Sequence, residues 1–154
     1  MNSNIIDVFY NVCFWSPLLA WLTAQTIKMV TNYIDTKQVD LFYFVSTGGM
    51  PSAHSAMVSG LATAIGLKEG FETSLFTMAF AFALLVMFDA STVRRAAGMQ
   101  ARILNEMIRE LFKEHRLSEH KLAELLGHTR LEVFMGMLIG ILVAIIVVSS
   151  NAAG

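Results

Sequence analysis

Residues Val133 to Ser150 read VFMGMLIGILVAIIVVSS, a run without a single charge. Crossing about 30 Å of hydrocarbon takes roughly 20 predominantly apolar residues in a helix. This run therefore reads as a membrane helix, and it sets the class of the chain. The composition agrees. Of 154 residues, 55% are hydrophobic and 15% are charged. Soluble domains carry about 25% charged residues.

Three further stretches toward the N-terminus can enter a bilayer. Val8 to Ile27 is uncharged and is interrupted by Pro17. There, Ser16-Pro17 can form the N-cap and first position of a helix, or Pro17 can kink a longer one. The second stretch starts in Pro51-Ser52-Ala53-His54-Ser55 and runs to the neighbourhood of Leu67. At about 15 residues it suits a thin bilayer or a place partly inside the protein. The third, Thr73 to Phe88, ends at Asp89. Gly136 and Gly140, in the last run, have a spacing that permits close helix contact, but it is common by chance in membrane helices.

Between the third and fourth stretches lies a long polar region. Met99, Ile103, Leu104, Met107, Ile108, Leu111 and Phe112 fall on one helical stripe, with Arg102, Glu106, Arg109, Glu110 and Lys113 opposite. Such a helix either packs on the protein's own polar side or lies in the membrane interface. Ser118 then caps a short helix that stops at Gly127. The expectation is an all-α, polytopic membrane bundle forming one domain over residues 1–154. It has four membrane-embedded segments and an amphipathic helix at the cytoplasmic face.

Charge sets the orientation. Eight of the eleven Lys and Arg residues lie between Arg94 and Arg130, so this region is expected in the cytoplasm. Counting crossings puts both termini outside and puts Lys28 and His54 at the cytoplasmic face. The net charge of −1 gives no reason to expect nucleic-acid binding. Cys13 stands alone, which rules out an intrachain disulfide. The opening MNSNIID lacks a basic n-region, so the first apolar stretch is expected to stay in the mature protein. Four short spans bury little surface, which leaves room for a homo-oligomer.

Four polar clusters then meet at one membrane face: Lys28; the segment Gly48 to Ser55; Asp89 with Arg94 and Arg95; and His128 to Glu132. Each has a plain structural reading. Lys28 can snorkel, Ser52 can cap a helix, Thr129 and Glu132 fit a capping box, and the arginines can anchor a helix. Together they supply what phosphoryl transfer needs. Helix starts at Ser52 and Thr129 offer free N–H groups to an anion. Lys28 with Arg94 or Arg95 can neutralise a phosphate. His54 and His128 offer a nucleophile and an acid, and Glu132 follows His128 at a spacing that can fix its tautomer.

The pattern Gly-Gly-Met-Pro-Ser-Ala-His-Ser, then Phe-Asp-Ala-Ser-Thr-Val-Arg-Arg-Ala-Ala-Gly, then Leu-Leu-Gly-His-Thr resembles the type 2 phosphatidic acid phosphatases. This family is related to acid phosphatases and vanadium-dependent haloperoxidases, and the likeness is to its divergent bacterial and plastid branch, over roughly residues 10 to 148. The departures are specific. No Arg-Pro follows Lys28 at the family spacing, Ala53 stands for the motif glycine, and Glu132 stands for the aspartate. More than thirty residues separate Arg95 from His128, where the family has a short spacer.

The resemblance implies that His128 attacks phosphorus and that His54 protonates the leaving alcohol and later activates water. Glu132 orients His128, while Lys28, Ser52 and Arg94 or Arg95 hold the non-bridging oxygens. It implies no cofactor. Asp89 is the one carboxylate placed to take Mg²⁺ with substrate phosphate; pairing with Arg94 or Arg95 is the other reading. The expected activity is hydrolysis of a lipid phosphate monoester at the cytoplasmic face of the inner (plasma) membrane, with phosphatidylglycerophosphate as the first substrate. The alternatives are a prenyl diphosphate phosphatase and a non-catalytic protein that binds anionic lipid or transports a phosphorylated solute.

Overall fold

The computed structural model describes residues 5–37, 49–111 and 127–152. Its elements are a 3₁₀ turn at Ile5–Tyr10 and five α-helices: α1 (Val12–Thr36), α2 (Ala53–Glu69), α3 (Ser74–Ser91), α4 (Val93–Leu111) and α5 (Arg130–Ala152). The expected all-helical architecture is present. The short helix expected after Ser118 lies outside the described residues.

Helix α2 is the centre of the bundle and packs against α1, α3 and α5. Helices α1 and α2 run antiparallel, as do α2 and α3. At one end Lys68 of α2 donates to the Asn11 side chain at the start of α1, at 3.1 Å. At the other end the Ser52 N–H, at the start of α2, donates to the Glu132 carbonyl of α5 at 3.0 Å. There too the His128 N–H donates to the carbonyl of Ala90, in the last turn of α3, at 3.1 Å. The polar clusters picked out along the chain are thus gathered toward this second end.

Small residues make the bundle possible. Ala20, Ala24, Ala53 and Ala56 form a buried cluster between α1 and α2, flanked by Trp21, Ile139 and Val143. A Cβ on Gly136 would fall onto the Ser52 carbonyl oxygen, and one on Gly140 onto the Ser59 hydroxyl and the Ala56 carbonyl. Only glycine lets α5 approach α2 so closely. Ser59 seals the contact, its hydroxyl lying 2.7 Å from the Ser55 carbonyl and 3.1 Å from that of Met137 across the interface. The glycine pair, unremarkable as a sequence pattern, is thus the principal packing device of the fold.

The ends of α1 differ from expectation. Asn11 is the N-cap, its side chain accepting from the Cys13 N–H at 3.0 Å. Pro17 lies inside the helix, and Ser16 is a fully buried packing residue. The N-cap reading of Ser16-Pro17 is therefore replaced. A real side-chain acceptor at Asn11 starts the helix earlier, and Pro17 removes one backbone donor from its interior. At its other end α1 runs on to Thr36, beyond the apolar stretch that ends at Ile27.

Two helical runs among the described residues are long and apolar enough to cross a membrane: Ser74–Ile108 and Arg130–Ala152. Phe80, Phe82, Leu85 and Phe88 of α3 and Leu131, Leu142 and Ile146 of α5 point outward, as lipid-facing residues must. Four crossings were expected from the sequence. Two are supported directly, because α1 is more polar and α2 has only 17 residues. The amphipathic helix is α4. Its stripe of Met99, Ile103, Leu104 and Met107 is exposed, and among the described elements α4 packs only on α3. That stripe is not covered by the bundle.

Candidate active site

The site grows from two helix starts. Ser52 is the N-cap of α2 and is fully buried. Its hydroxyl oxygen accepts from the Ser55 N–H at 3.4 Å and from the Ser55 hydroxyl at 3.0 Å. With both lone pairs engaged, the Ser52 O–H is left to donate. Ser55, within the quoted motif but given no role in the sequence reading, thus fixes the polarity of Ser52.

The second start is α5. Thr129 and Glu132 form the expected capping box. The Glu132 N–H donates to the Thr129 hydroxyl and the Thr129 N–H to the Glu132 carboxylate, each at 3.3 Å. The same carboxylate oxygen, Oε2, lies 2.9 Å from His128 Nδ1. Glu132 therefore joins helix capping to histidine orientation. His128 itself is only 3% exposed and is held through its backbone by Ala90. The Nδ1 edge of the ring is occupied by Glu132, so Nε2 is the nitrogen available for other chemistry.

Lys28 enters from α1 and is 2% exposed. Its ammonium and the Glu132 carboxylate act on one another electrostatically. Ser52, His128 and Glu132 are thus joined at one end of the bundle by hydrogen bonds of Glu132, and Lys28 lies within electrostatic reach of them. Snorkelling fits poorly with such burial of Lys28, whereas Ser52 does cap its helix as expected. A buried ammonium is costly unless compensated.

The remaining candidates are placed as follows. His54 lies in the first turn of α2, two residues beyond Ser52, and is half-buried. Asp89 is half-buried at the end of α3, beside the Ala90 carbonyl that holds His128. Arg95 is exposed in the first turn of α4, and Arg94 precedes it there. Sequence reasoning missed Gln25, 4% exposed and one turn before Lys28, whose Oε1 has no hydrogen-bond partner among the described residues. It also missed Asn32 and Asp35, which follow Lys28 on the same helix face and line a pocket with it. Their periodicity from Lys28 was the available signal.

The sequence pattern of the divergent PAP2 family matches residues 9–143, which takes in α1, α2, α3, α4 and the first half of α5. This chain belongs to the divergent PAP2 family. A family relative, the uncharacterized membrane protein YuiD of Bacillus subtilis (strain 168), is 38% identical over 152 residues, covering 92% of this chain and 96% of that protein. No solved structure matches. In this divergent PAP2 chain Ser52 and His54 lie at the start of α2 and His128 just before the start of α5, at the end of the bundle where its polar groups come together. The segment between Arg95 and His128 contributes most of α4, which starts at Val93 directly after α3.

Proposed function

We propose that this divergent PAP2 protein is a membrane phosphatase that hydrolyses a lipid phosphate monoester through a phosphohistidine on His128. The observation that carries the reading is the contact between Glu132 Oε2 and His128 Nδ1, 2.9 Å, beside the buried Lys28 and Ser52. A carboxylate on Nδ1 raises the basicity of the ring and directs its Nε2 lone pair outward.

In the first step, Nε2 of His128 forms a bond to phosphorus as the P–O bond to the alcohol breaks. The departing oxygen takes a proton from His54. In the second step, water attacks the phosphohistidine and gives its proton to His54, and inorganic phosphate leaves as the P–N bond breaks. Lys28, the Ser52 hydroxyl and Arg94 or Arg95 neutralise the charge that gathers on the non-bridging oxygens. None of these roles calls for a metal.

The chain crosses the inner membrane four times in this reading, with α1 and α2 joining the two more apolar runs. The basic residues between Arg94 and Arg130 favour a cytoplasmic site. That sidedness suits phosphatidylglycerophosphate, which is made on the cytoplasmic side, over an extracytoplasmic prenyl diphosphate. The test is phosphate release from a lipid panel by purified wild type, His128→Ala and His54→Ala. Turnover by wild type and its loss in both variants is expected. Full turnover in both variants contradicts the mechanism.

A further inference from the structure

The end of the bundle that holds Lys28 opens into a pocket of about 370 Å³. It is formed by Lys28, Thr31, Asn32, Ile34 and Asp35 of α1 facing Gly49 and Met50, just before the Ser52 cap, so polar groups of α1 share its wall with the apolar side chains of Ile34 and Met50. Thr31, Asn32 and Asp35 follow Lys28 at three, four and seven positions, so one face of α1 presents all four. This face exists because α1 continues two turns past Lys28. Lys28 is shared between the pocket and the cluster around Glu132, so whatever carries the phosphate has this pocket beside it.

The pocket chemistry is that of hydroxyl recognition. The Thr31 hydroxyl donates to the Lys28 carbonyl at 2.9 Å, which leaves its oxygen as an acceptor. Asn32 can donate and accept, and the Asp35 carboxylate accepts. An alcohol that donates to these oxygens and accepts from Asn32 satisfies them. A second phosphate does not, since it meets Asp35 with like charge. A prenyl or acyl chain can meet Ile34 and Met50 but offers no donor to the oxygens of Thr31, Asn32 and Asp35.

We infer that this pocket binds a hydroxylated head group carrying the scissile phosphate. The substrate class is then a phosphomonoester of a polyol head group. A diphosphate, or a phosphate borne directly on an acylated or prenyl alcohol, is disfavoured. The assignment rests on the phosphatase reading for its catalytic meaning, but the pocket's preference for a ligand can be measured separately.

The test uses the full chain in detergent and two ligands, glycerol 3-phosphate and inorganic phosphate, with calorimetric titration of wild type, Asn32→Ala and Asp35→Ala. Both altered residues are at the pocket wall and outside the buried core. Wild type is expected to bind glycerol 3-phosphate about tenfold more tightly than phosphate, and each variant to lose most of that preference while keeping phosphate affinity. Equal binding of the two ligands, no binding of glycerol 3-phosphate, or an unchanged preference in both variants overturns the assignment. Turnover is measured in parallel on phosphatidic acid and on a lipid whose terminal phosphate sits on glycerol. Selective binding without turnover by wild type leaves the pocket standing and sinks the phosphatase reading. Turnover with the same substrate ratio in wild type and both variants sinks the pocket alone.

Discussion

Glu132 Oε2 lies 2.9 Å from His128 Nδ1 while accepting the Thr129 N–H at 3.3 Å. One carboxylate oxygen thus serves both a helix start and an imidazole. Glu132→Gln separates the two. The amide oxygen can still accept the Thr129 N–H, so the cap survives. The negative charge that supports a positively charged or phosphorylated His128 is gone. We expect kcat to fall by about 100-fold or more with little change in KM, and the thermal midpoint to move little. A Glu132→Gln protein with wild-type kcat would remove Glu132 from the mechanism.

Gly140 carries a different kind of prediction. A methyl there meets the Ser59 hydroxyl and the Ala56 backbone; the hydroxyl can turn away only by losing its bond to Met137, and the Ala56 carbonyl cannot retreat without moving a helix. Gly140→Ala should destabilise the bundle by about 1–3 kcal/mol, read as a lower melting temperature in detergent. Leu142→Ala, at an exposed position on the same helix, is the control and should change little. Equal behaviour of the two variants would mean that the α2–α5 contact is looser than described.

The exposed stripe of α4 meets lipid if this helix lies in the interface. Its amphipathic pattern and its continuity with the apolar α3 favour that position. Tryptophan placed at Ile103 should emit at short wavelength and be quenched by brominated lipids. Tryptophan placed at Glu106, on the polar face, should be quenched much less. Quenching that is weak at both positions would move α4 off the bilayer.

If Lys28 and the arginines neutralise the phosphate as proposed, no task in the mechanism demands a divalent ion. Turnover should therefore be the same with and without chelator. Activity that disappears with chelator and returns with Mg²⁺ would give Asp89 a ligand's role and revise the mechanism.

Much of the fold was legible because its signals are local. The cap at Ser52, the box of Thr129 and Glu132, and the stripe of α4 are each written within a few neighbouring residues. The reach of Glu132 to His128 was legible for the same reason, since both sit on one short segment. What the sequence hid depends on partners distant along the chain. Gly136 and Gly140 acquire meaning only when Ser52, Ala56 and Ser59 lie across from them. Ser16-Pro17 left the start of α1 open between a cap there and a longer helix containing Pro17, and the acceptor at Asn11 decides for the longer helix. Asn32 and Asp35 were passed over because α1 was expected to stop with its apolar run.

The proposed mechanism requires a covalent phosphoryl group on His128 Nε2. Wild type mixed with substrate, quenched within a turnover under alkaline conditions and digested should yield a phosphorylated peptide containing residue 128, absent from His128→Ala. Turnover with no phosphoryl group on that peptide, or with the group on His54 instead, would contradict the account.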